Sequence, residues 1–170
     1  MQKVFVFGEV DMKSQTKYVK KLNRRRVLIC MIVFFALLPI FSYLHEGGHA
    51  LVCIADGNEA EISVDIFNGG TTLCHGDVSN LFAYKISGGL VAGIVGTAAG
   101  IALFRWKIPF IVITTIGIGH LINAGIEAFA DSYYTHGGEW SAFMGLVEVV
   151  IFLTLLIIFD RKMVKRNDFL

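Results

Sequence analysis

"VLICMIVFFALLPIFSYLHEGGHALVCI", residues 27–54, is long and apolar enough to cross a bilayer, yet near its end it carries His45, Glu46 and His49. A membrane helix needs about 20 mainly apolar residues. Ionisable groups inside such a segment are costly and mark function by default. Helix geometry suggests what these three do. His45 and His49 are four apart, so a helix sets both imidazoles on one face, one turn apart. That arrangement suits two ligands of a single Zn²⁺ ion. Glu46 points to the side of the pair, where it can reach a water at such an ion and accept its proton. Gly47 and Gly48 are poor helix formers, and they leave a bare surface for close approach by a substrate or another helix.

Working outward, three more apolar stretches follow at about 81–104, 108–130 and 141–159. Hydrophobic residues make up 55% of the 170-residue chain and charged residues only 17%, below the roughly 25% usual in soluble domains. A multi-pass membrane domain over 27–160 is expected, after a basic N-terminal segment 1–26 and before a basic tail 161–170. A cleavable signal peptide fits the first span poorly, because a long basic stretch precedes it and no A-x-A-like site follows. Lys and Arg set the orientation. Eight of the fifteen precede Val27, two lie between the second and third spans, and four follow the last; residues 55–80 and 131–140 have none. Both termini are therefore expected in the cytoplasm, and the loops 55–80 and 131–140 outside. The basic end of segment 1–26 reads as a lipid-facing anchor. The bilayer is the expected environment and no nucleic-acid partner is expected.

The external loop "EAEISVDIFNGGTTLCHG" alternates Ile62, Val64 and Ile66 before Asn68-Gly69, a β-hairpin signal. Such a hairpin closes the loop, or offers an edge strand to an extended peptide. In the second span Gly88, Ala92, Gly96 and Gly100 recur every four residues, as in a helix whose backbone packs closely on its neighbours. Cys30, Cys53 and Cys74 are odd in number and widely spaced, so they imply no disulfide framework.

Catalytic zinc takes three protein ligands and keeps one open position. Beyond the two histidines, the third ligand is open among His75, His120, Glu127, Asp131, His136 and Glu139. Glu127 and Asp131 come late in a span that runs the same way as the first, which brings them to a similar depth.

These features resemble the site-2-protease class of intramembrane zinc metalloproteases, the M50 peptidases. In that family the first core helix carries HExxH, matched here by "HEGGH" at 45–49. The second is glycine-rich, like "SGGLVAGIVG" at 87–96. The third carries N-x-x-P-x-x-x-x-D-G, and "NAGIEAFADS" at 123–132 keeps Asn123 and Asp131 at the same spacing. The resemblance covers roughly residues 30–132. It departs at Ile126, where the family has proline, at Ser132, where it has glycine, and at Gly93, where an asparagine is often found. The charge bias also puts the site nearer the outside, whereas many family members hold zinc nearer the cytosol.

The expected fold is thus all-α and membrane-integral: about four transmembrane helices, with a three-helix metalloprotease core and a small external β-hairpin. The resemblance implies one Zn²⁺ per chain held by His45, His49 and Asp131, with Glu127 next in line, and Glu46 as the catalytic base. Asn123 is a candidate for holding the substrate backbone, or for an interhelical hydrogen bond. His120 and His136 are candidates for outer partners of the ligands, and Glu148 for a helix-packing contact. The expected substrate is a membrane-embedded or membrane-adjacent protein. The alternatives are a non-proteolytic zinc-binding scaffold or sensor and, behind it, a metal transporter.

Overall fold

A computed structural model describes residues 24–65, 69–130 and 137–167. The chain runs α1 (Arg24–Ala55), β1 (Glu59–Asp65), β2 (Gly69–His75), α2 (Leu81–Ala102), α3 (Lys107–Phe129) and α4 (Gly137–Asn167). It is mostly helical, with one small antiparallel sheet. The helices α1, α2 and α3 are each long and apolar enough to cross a membrane. These three match the expected spans to within three residues at either end. The fourth does not match. α4 starts inside the segment expected as the loop 131–140 and continues past residue 159 into the basic tail. Its apolar part among the described residues, Phe143–Phe159, is shorter than the other three. Hydropathy marks apolar residues, whereas a helix continues wherever nothing breaks it. "DRKMVKRN" at 160–167 contains no Gly or Pro. Most of the N-terminal segment, residues 1–23, lies outside the described residues.

The ends of the elements have local causes. α1 closes with Gly57 at φ +82, a left-handed conformation that favours glycine. There the Gly57 amide donates to the Ile54 carbonyl and the Asn58 amide to the Cys53 carbonyl, the pattern of a Schellman cap. Asn80 caps α2, its side chain accepting from the Ala83 amide at 2.9 Å. The exposed Asp56, just past α1, accepts from the Ser79 amide at 2.8 Å and the Ser79 hydroxyl at 2.6 Å. This tethers the end of α1 to the start of α2. Those two bonds favour the carboxylate and hold Asp56 below the usual aspartate value of about 3.9. The tether is therefore present above that value and is lost as pH falls through the depressed one. The Ser79 amide resonance should follow an acid titration centred below about 3.9, and Asp56→Asn should abolish that titration.

α2 packs between α1 and α3 through its small residues. A side chain at Gly96 would meet the backbone at Gly117 and the ring of Phe41, and one at Gly93 would meet Leu121. At Gly89 it would meet the α3 backbone at His120 and Ala124. The core joins Cys30 and Phe41 of α1, Ala92 of α2, Val112 and Ile116 of α3, and Phe152 and Leu156 of α4. Thr115 and Thr154 donate to the carbonyls four residues back, at 2.7 Å each, so these hydroxyls are satisfied within their own helices.

The hairpin forms as expected, with Ile62 opposite Thr72 and Val64 opposite Gly70. The expected turn at Asn68 is outside the described residues. The cysteines correct the sequence reading. Cys53 of α1 and Cys74 of β2 form a disulfide across 21 residues, while Cys30 is free and buried. Wide spacing was a poor guide because the hairpin folds back on the helix it leaves.

Candidate metal centre

α1 delivers His45 and His49, and α3 delivers Glu127. All three are buried, with relative exposures of 7%, 7% and 2%. The Nε2 atoms of the two histidines are 3.2 Å apart. Glu127 Oε1 is 3.1 Å from His45 Nε2, and Glu127 Oε2 is 3.6 Å from His49 Nε2. Three donor groups thus converge on one point, and the group can hold a metal ion.

The hydrogen bonds on the far side of the rings sharpen this. His49 Nδ1 lies 2.7 Å from the Tyr84 carbonyl oxygen. A carbonyl only accepts, so Nδ1 carries the proton, and in the neutral ring Nε2 keeps its lone pair. His45 Nδ1 is 3.2 Å from His120 Nδ1. When His45 is the donor of that bond, its Nε2 is bare as well. Two lone pairs and a carboxylate then face one another, an arrangement that repels unless a cation sits among them. The spacing fits an ion. Ligand atoms about 2.0–2.1 Å from zinc in a tetrahedron lie about 3.3 Å apart, and the three observed separations bracket that value. A partner on the second ring nitrogen, here a carbonyl and an imidazole, is also usual for metal-bound histidine.

Glu127, second to Asp131 in the sequence reading, is the carboxylate among the described residues that meets both histidines. α3 ends at Phe129, and Ala130 is extended. Asp131 lies, with His136, outside the described residues. Asn123 is buried one turn before Glu127 on the same helix, and its Nδ2 donates to Glu127 Oε1 at 2.8 Å. It orients the carboxylate. His120, besides meeting His45, stacks on Phe41 with ring centroids 6.0 Å apart. His75 is exposed on β2, 3.9 Å from Glu61, and is no part of this group. Glu148 faces Gly119 on α3, where a side chain would strike its carboxyl group.

Glu46 is buried beside the two histidines. The Thr72 hydroxyl lies 2.8 Å from Glu46 Oε2, to which it donates, and 2.9 Å from the Glu46 main-chain oxygen. The Tyr84 hydroxyl donates to the Thr72 carbonyl at 3.2 Å. Sequence reasoning missed both Thr72 and Tyr84. Neither stands in a motif, and only folding brings them to the site.

The glycines of "HEGGH" divide their roles. Gly48 abuts the Ser87 backbone of α2, whereas Gly47 faces open space. Gly88 of α2 supports the site directly, since a side chain there would run into the His49 imidazole. Gly88→Ala should weaken metal binding roughly 10- to 100-fold, as removal of an outer partner does. Alanine favours the helix over glycine, so that loss would report the displaced ring. Gly125, with nothing near it, supplies the control. Gly125→Ala should leave the metal affinity, read by competition with a chromogenic chelator, as it is in the parent.

No family model matches the chain, and comparison with curated proteins and with solved structures likewise gave no match.

Proposed function

We propose that this chain is an integral membrane zinc metalloprotease that cleaves membrane-embedded or membrane-adjacent proteins. The observation that carries the reading is the convergence of His45 Nε2, His49 Nε2 and the Glu127 carboxylate, with Glu46 buried at their side. In this reading His45, His49 and Glu127 hold one Zn²⁺. Bound there, the ion would polarise a scissile carbonyl and acidify water. Glu46 accepts the proton of the attacking water on its carboxylate and delivers it to the leaving amine. Asn123 steadies Glu127, and the Tyr84 carbonyl and His120 steady the two imidazoles.

The reading extends to the membrane. Arg24, Arg25 and Arg26 begin α1, and His45 lies about 28 Å further along its axis at 1.5 Å per residue. That distance nearly equals the roughly 30 Å hydrocarbon thickness. The site then sits near the face opposite the basic N-terminus, within reach of water. The Cys53–Cys74 disulfide on that face supports an external position for the hairpin, because disulfides persist in oxidising compartments. The cytoplasmic placement of both termini and a fourth crossing by α4 belong to the same proposal.

The test is paired. Zinc bound by the purified protein in detergent is quantified, and cleavage of single-span membrane peptides is followed before and after chelation. One zinc per chain, and cleavage that chelation removes and zinc restores, is the expected result. A parent protein that takes up no zinc would overturn the reading. A second reading, a zinc-binding scaffold or sensor without proteolysis, draws on the cover that Gly70 and Thr72 place over Glu46. It predicts bound zinc and a biological activity that survives loss of the Glu46 carboxylate.

A further inference from the structure

Strand β2 is built into the site more closely than a loop-closing hairpin requires. Alternate residues of a strand share a face. On β2 that face carries Gly70, Thr72 and Cys74, and each of them engages α1. Any side chain at Gly70 would collide with the Glu46 side chain. Gly70 does not have a positive φ, so its glycine answers a demand for space and not for backbone conformation. Thr72 donates to Glu46 Oε2 at 2.8 Å. Cys74 is bonded to Cys53, which stands one turn beyond His49 on α1. From the side of α2, the Tyr84 hydroxyl holds the Thr72 carbonyl while the Tyr84 carbonyl holds His49. One residue thus ties the strand over Glu46 to a metal-ligand candidate.

We propose that Thr72 is a positioning residue for Glu46, kept in register by the Cys53–Cys74 bond. The proposal rests on the reading of Glu46 as the proton acceptor. A glutamate side chain has three rotatable bonds, and a carboxylate that must take a proton from one direction works best when they are fixed. The hydroxyl of Thr72 fixes one oxygen, and the space at Gly70 admits the rest of the carboxyl group. The disulfide prevents the strand from sliding along α1 or lifting off it.

The experiment uses the full chain in detergent with Thr72→Val, Thr72→Ser and the double variant Cys53→Ala/Cys74→Ala. Two readouts are taken. One is the rate at which an apolar carbodiimide modifies Glu46 in metal-free protein, measured by peptide mass spectrometry. The other is cleavage of a single-span peptide, resolved into kcat and KM, with zinc content as the control. Thr72→Val should raise the modification rate and lower kcat, each about 10- to 100-fold, the scale of one hydrogen bond to a charged group. KM and zinc content should stay near the parent's. Thr72→Ser, which keeps the hydroxyl, should restore most of both effects, and the double cysteine variant should move both in the direction of valine. A valine variant that matches the parent in modification and kcat overturns the proposal. So does a serine variant as impaired as valine, because the side-chain shape and not the hydroxyl would then matter. If the parent cleaves nothing, the protease reading fails by itself, and the modification rates still decide whether Thr72 holds Glu46.

Discussion

Glu127→Ala should empty the metal site, while Asp131→Ala should leave it filled. Glu127 sits late in the third apolar segment and Asp131 just past its end, and the sequence pattern favoured Asp131. The carboxylate that meets the histidines is that of Glu127, 3.1 Å from His45 Nε2 and 3.6 Å from His49 Nε2. In the proposed zinc site, removing it would take away one of three ligands and the negative charge that offsets a dication in a buried setting. The loss in affinity should exceed the roughly 10- to 100-fold seen when an outer partner is removed. Glu127→Gln keeps the volume and one acceptor oxygen, so it tests the charge apart from the packing. Its affinity should fall between those of the parent and the alanine variant. Zinc per chain, measured after equilibration with a competing chelator, decides the matter. If Asp131→Ala loses zinc and Glu127→Ala keeps it, the ligand set proposed here is wrong.

The second large effect is expected at Glu46. Glu46→Gln should retain one zinc per chain and lose peptide cleavage by about 10²–10⁴-fold, the usual worth of a positioned general base. The two side chains have nearly the same shape, and the amide oxygen of glutamine can still accept from Thr72. What disappears is the ability to take up a proton. Both halves of the outcome are needed. Zinc lost together with cleavage would make Glu46 a support of the metal site, and cleavage that persists would remove it from the chemistry. The scaffold reading predicts that the biological activity of Glu46→Gln matches that of the parent.

Much of the architecture was legible before the structure. The three membrane-length helices follow from runs of apolar residues, and their ends fall within three residues of expectation. The hairpin follows from alternation ahead of Asn68-Gly69. The close packing of α2 follows from its small residues. Each of these signals is local, since a few neighbouring residues carry it. The misses share the opposite property. The Cys53–Cys74 bond joins residues 21 apart. Thr72 and Tyr84 belong to a strand and a helix, and no local signal says which of their residues reach the site on α1. α4 outran its apolar core because helix propensity continues where hydropathy stops.

The candidate site divides along the same line. By itself the sequence determined that His45, Glu46 and His49 share one stretch of helix, because helical spacing is a property of adjacent residues. Depth put Glu127 and Asp131 beside them, and the family resemblance favoured Asp131. The tertiary structure brings Glu127 to the two histidines through the rotation of α3 about its axis, while Asp131 lies outside the described residues. The chain does not state that rotation at any one position. It results from packing α2 between α1 and α3 at distances that Gly88, Gly89 and Gly96 permit. Side-chain volume summed over three helices thus brings Glu127 to the two histidines.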